Sequence, residues 1–100
     1  MGRGKRIIPA RMPAKLKTIR MKQTLTMDEM AKALERELES LDYKNIKVHS
    51  SHVSEYEKGK REPLLPILLA YSNIFNVELS VLVNDKKELL ALPFYSRLAE

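Results

Sequence analysis

From Pro13 onward, apolar residues recur every three or four positions, and no stretch alternates apolar with polar as a half-buried strand requires. The pattern therefore predicts an all-α chain. A first helix is expected from about Pro13 to about Gln23, burying Leu16 and Ile19. Proline suits its first turn, where the missing N–H has no helical partner to lose. The second helix has the clearest start. Thr26 can accept from the N–H of Glu29, Glu29 can return a bond to Thr26, and Leu25 can pack on Met30 as a staple. Asp28 and Glu29 also stand at the positive helix end. Met27, Met30, Ala31, Leu34, Leu38 and Leu41 then keep one face apolar for about four turns, so this helix should run to about Leu41. The polar run from Asp42 to Lys47 reads as a connection. A short third helix follows from Ser50 to Lys58, with Val53 and Tyr56 inward and Gly59 as its left-handed stop. A fourth runs from Leu65 to Phe75, burying Leu65, Leu68, Leu69, Tyr71 and Phe75, with Asn76 as its cap. Val77 to Val83 makes a short fifth.

Length and composition narrow the class. One hundred residues suit one domain. The expected division is a basic arm over 1–12, a helical domain over 13–85 and a tail over 86–100. Without cysteine there is no disulfide and no thiolate metal site, and a reducing, cytoplasmic setting is expected. The longest apolar run, Leu64 to Tyr71, is too short to span a bilayer, and Arg6 stands where a myristoylation motif needs Ser or Thr. Neither a membrane nor a lipid anchor is expected.

The formal net charge is +5, but its placement matters more. Arg3, Lys5, Arg6, Arg11, Lys15, Lys17 and Arg20 fill the first twenty residues without an acid, while the other eighty hold 11 basic and 13 acidic residues. A basic arm and first helix fit a polyanionic partner such as nucleic acid. No nucleophile elbow, zinc motif or Gly-rich cofactor loop is present, so neither catalysis nor a cofactor is expected. His49 and His52 lie three apart without a third ligand, which argues against a metal site.

Three runs carry a resemblance: Leu16-Lys-Thr-Ile19-Arg20; Leu25-Thr26-Met-Asp-Glu-Met30-Ala31; and Val53-Ser54-Glu55-Tyr56-Glu57-Lys58-Gly59-Lys60-Arg61-Glu62-Pro63. Over about Leu16 to Val83 the chain resembles the phage repressor and Cro family of helix-turn-helix domains, the xenobiotic-response-element type. The resemblance implies a five-helix, lambda-repressor-like fold and a small DNA-binding transcriptional regulator, expected to act as a repressor. The helix from about Ser50 would be the recognition helix in the major groove, where each base pair shows a distinct donor and acceptor pattern. On that footing Ser50, Ser51, His52 and Glu55 are expected at base edges. Arg11, Lys15, Thr26, His49, Lys58, Lys60 and Arg61 are expected on phosphates, and Arg20 and Glu57 as an ion pair joining the first helix to the recognition helix.

Three features depart from the family pattern. About a dozen extra residues, Glu35 to Lys47, predict an extended second helix and a longer connection to the third. Met27 replaces a phosphate-binding Gln common among relatives, and Glu55 is acidic where an amide or a base is usual. Double-stranded DNA is the expected partner, and a homodimer is the family default because one short helix reads few base pairs. The competing reading is a protein-interaction module, antitoxin-like or coactivator-like, using the same fold with Leu89, Leu90, Leu92 and Phe94 as an apolar contact surface.

Overall fold

The computed structural model describes residues 8–89. These form α1 (Met12–Lys22), α2 (Met27–Ser40), α3 (Ser50–Lys58), α4 (Leu65–Phe75) and α5 (Leu79–Val83), with no strand among the described residues. The architecture is all-α and lambda-repressor-like, with the extended connection between α2 and α3 that the insertion predicts. Arg3, Lys5 and Arg6 of the arm, and Leu90, Leu92 and Phe94 of the proposed apolar surface, lie outside the described residues. No helix of the described residues is long and apolar enough to cross a membrane.

Local chemistry accounts for the helix ends. Thr26 Oγ1 accepts from the Glu29 N–H at 3.0 Å, and Glu29 Oε1 accepts from the Thr26 N–H at 2.8 Å, the reciprocal box expected there. Asp42, at φ 73°, stops α2, and Tyr43 N–H then reaches back to the Leu38 carbonyl at 2.8 Å. Gly59 and Asn76 take left-handed conformations at φ 74° and 55°, ending α3 and α4. The fifth helix begins at Leu79 rather than Val77. Val77 is instead buried in the turn that precedes it.

The core gathers Leu16 and Ile19 of α1, Met30, Leu34 and Leu38 of α2, Val53 of α3, Tyr71 and Phe75 of α4 and Leu82 of α5. α2 packs on both α3 and α4, while α1 packs on α3 and α5. Three apolar assignments change. Leu65 is 63% exposed and Leu69 only half-buried, because α4 turns Ile67, Leu68, Ala70 and Ile74 to the core instead. Met12, placed in the arm by its sequence position, opens α1 and is buried.

A polar clamp joins the start of α1 to the segment after α5. Both Asp85 carboxylate oxygens accept backbone N–H groups, from Ala10 and Arg11, at 2.9 Å each. The Arg11 guanidinium bonds Glu88 at 2.9 Å and the Asp85 carbonyl at 2.8 Å. Lys15, 4% exposed, gives its ammonium to the carbonyls of Val81, Asn84 and Lys87 at 2.7, 3.0 and 2.8 Å. A helix C-terminus leaves carbonyls without partners and carries partial negative charge, and a buried ammonium with three donors answers both. Residues 86–89, read in sequence as the start of a tail, are thereby held against the domain, with Leu89 packed on the core.

Candidate nucleic-acid interface

α3 divides by helical period. Val53, Tyr56 and Glu57 face the protein, whereas Ser51, Glu55 and Lys58, at spacings of four and three, share the outward face. Ser50 and Ser51 are exposed and make no side-chain hydrogen bond among the described residues.

Three contacts fix this helix. At its start, the Val48 N–H donates to Glu35 Oε2 of α2 at 2.7 Å, so the added length of α2 carries the acceptor that seats the connection. Val48 and Val53 are both buried, at the two positions where an apolar pair sets the direction of a helix start. His49, the N-cap, donates its N–H to His52 Nδ1 at 3.1 Å, with the two rings 5.2 Å apart. An accepting Nδ1 carries no proton, so the ring N–H lies on Nε2, and His52 is already engaged at the helix start. At the helix end, Glu57 accepts from Arg20 Nε at 2.8 Å and Nη2 at 3.0 Å, while Arg20 Nη1 bonds the Leu25 carbonyl at 2.9 Å. The Arg20 and Glu57 side chains are 13% and 3% exposed, so the pair is shielded and bidentate. Arg20 is held protonated above its ordinary range chiefly by its hydrogen bond with Glu57.

The cations expected on phosphates do not share one setting. Lys58 and Lys60 are exposed on either side of Gly59, and His49 is exposed at the start of α3. Thr26 caps α2 and stays exposed. Arg11 is spent largely on Glu88 and Asp85. Lys15 must be withdrawn from the phosphate set, because it is buried and all three of its donors are taken by carbonyls. Arg61 Nε donates to Glu55 Oε1 at 2.6 Å, so one residue expected at a base and one expected at a phosphate pair with each other. Arg61 holds the Glu55 carboxyl below its usual range, first through that hydrogen bond. Lys17 was counted only as part of the basic start, yet it is exposed and lines, with Lys58, Gly59 and Pro13, an open cleft of about 500 Å³ between α1 and the end of α3. The sequence around Lys17 carries no local signal for this, since the cleft exists only once α3 docks beside α1.

Residues 43–82 match the protein family described as helix-turn-helix. The match takes in α3, α4 and most of α5 and begins inside the connection that the insertion lengthens. No curated protein and no solved structure matches the chain. Domains of this kind bind DNA in transcription regulators and are not typically enzymatic. Over residues 43–82, with α3 presented on the outside of the five-helix fold, the chain is similar to the helix-turn-helix family.

Proposed function

We propose that the protein binds double-stranded DNA sequence-specifically, as a small transcriptional repressor, by laying α3 in the major groove. The observation that carries this reading is the outward stripe Ser51, Glu55 and Lys58 on a helix whose opposite side is locked by Val53, Tyr56 and the Arg20–Glu57 pair. A rigid helix with short polar side chains at its start brings its backbone close to the groove floor, where hydrogen bonds to base edges carry sequence information. Ser50 and Ser51 are the first readers, with His52 limited to its Nε2–H. Thr26, His49, Lys58 and Lys60 take phosphates, and Lys17 joins Lys58 from α1. A homodimer would double the contacts of a nine-residue helix.

Site selection from a random duplex library tests the reading, with Ser51→Gln and Lys58→Ala beside the parent. Ser51→Gln is expected to change the preferred base at one position per half-site, since Gln can bond adenine with both amide atoms. Lys58→Ala is expected to weaken all duplexes alike and flatten the salt dependence by nearly one log unit for a lost phosphate contact. An unchanged selected site for Ser51→Gln, with a changed one for Lys58→Ala, would overturn the placement of α3. The protein-interaction reading draws on Leu64 and Leu65, 58% and 63% exposed at the start of α4. Failure of the parent to select any duplex would favour it.

A further inference from the structure

Resting on the reading of α3 as the groove helix, we infer that Glu55 and Arg61 form one reading unit for a C·G base pair, with Arg61 at the base edge rather than on a phosphate. The pairing follows from how α3 ends. Gly59 reverses the chain, and the Lys60 N–H bonds the Glu55 carbonyl at 2.9 Å, which lays the residues after the helix alongside its last turn. Arg61 Nε then meets Glu55 Oε1 at 2.6 Å. Wherever α3 carries the Glu55 carboxylate, the Arg61 guanidinium travels with it.

The remaining valences suit one partner. Glu55 Oε2 and both Nη groups of Arg61 make no other hydrogen bond among the described residues, and the side chains are 39% and 53% exposed. A carboxylate can only accept, and the C·G edge in the major groove offers it the cytosine N4 amino group. A guanidinium can only donate, and the same edge offers it guanine O6 and N7. The planar fork anchored through Nε leaves its outer nitrogens as the donor pair for that bidentate contact. The pair also removes an electrostatic obstacle. A lone carboxylate entering a groove walled by phosphates is repelled, whereas the paired unit is neutral. Arg61, already balanced by Glu55, adds little to sequence-independent attraction.

The full chain and its Glu55→Gln, Arg61→Lys and Arg61→Ala variants, all at exposed positions, are compared by site selection and by binding across a salt series. Matched helical signal and melting establish that each is folded. The parent is expected to select C·G at one position per half-site. Arg61→Lys keeps the charge but loses the fork, and should weaken C·G sites about 5- to 150-fold while barely affecting sites substituted there. Glu55→Gln should move that preference toward A·T. If Arg61→Lys binds like the parent while Arg61→Ala weakens every duplex equally with a flatter salt slope, Arg61 grips a phosphate and the inference is wrong, though α3 remains the reader. A parent that selects no sequence would overturn the groove-helix reading itself.

Discussion

Replacing Glu57 with Gln keeps the shape of the side chain and removes its charge, at a position where Arg20 has little access to water. Two charge-assisted bonds, at 2.8 and 3.0 Å, join the pair. The neutral amide oxygen can still accept one of them. The other is lost, and each such bond contributes about 1.5 to 3 kcal/mol. The Arg20 charge, 13% exposed, is left beside an NH2 group that competes with it as a donor. Removing one partner of a buried pair costs about 3 to 5 kcal/mol, and the surviving bond together with the Leu25 carbonyl offsets part of that, so a loss of about 2 to 4 kcal/mol is expected. For a domain of this size the midpoint of thermal unfolding should fall by roughly 10 to 25 °C. Urea unfolding followed by the helical circular-dichroism signal measures it, with the slope unchanged if only stability is altered. A second variant identifies the cause. Arg20→Met combined with Glu57→Leu removes both charges and should recover part of the loss, because no buried charge is left unpaired and only the Leu25 carbonyl loses its donor. A Glu57→Gln protein within 1 kcal/mol of the parent would refute the argument that shielding makes this pair important.

Two further outcomes concern the clamp. Lys15→Met should destabilise the domain by about 1 to 3 kcal/mol, because the carbonyls of Val81, Asn84 and Lys87 lose their shared donor; hydrogen exchange should show the loss concentrated in α5, and uniform loss would point to a different origin. The bonds from the Arg11 and Ala10 N–H groups depress the Asp85 carboxyl below its ordinary 3.8, so its contribution is present above that value and is lost as the pH falls through the lowered one. Asp85→Asn should accordingly be less stable than the parent at pH 7, with the gap closing below about pH 4 in matched denaturation curves, and a gap that is constant with pH would show that the charge is immaterial.

How far the sequence reaches depends on the span of each interaction. The bounds of α3 and α4, the Thr26–Glu29 box and the left-handed stops at Gly59 and Asn76 all depend on residues within about four positions of one another. Periodicity and capping encode such features directly, so they were legible. The exposed stripe on α3 was legible for the same reason, since helical period alone separates Ser51 and Glu55 from Val53 and Tyr56. The Arg20–Glu57 pair, 37 residues apart, was accessible only through the family resemblance.

Other features were decided by packing. Charge and position made Lys15 look like part of a basic surface, but the docking of α5 turns it into a buried cap across 66 to 72 residues. Leu65 has core character by type, yet the face that α4 buries is made by Ile67, Leu68 and Ile74, and Leu65 is left 63% exposed. Glu35 stands at the start of the extra residues, and only the folding back of the connection brings the Val48 N–H to it. Composition cannot distinguish a free cation from a spent one, because only the tertiary fold brings a distant acceptor within the roughly 3 Å over which a hydrogen bond acts.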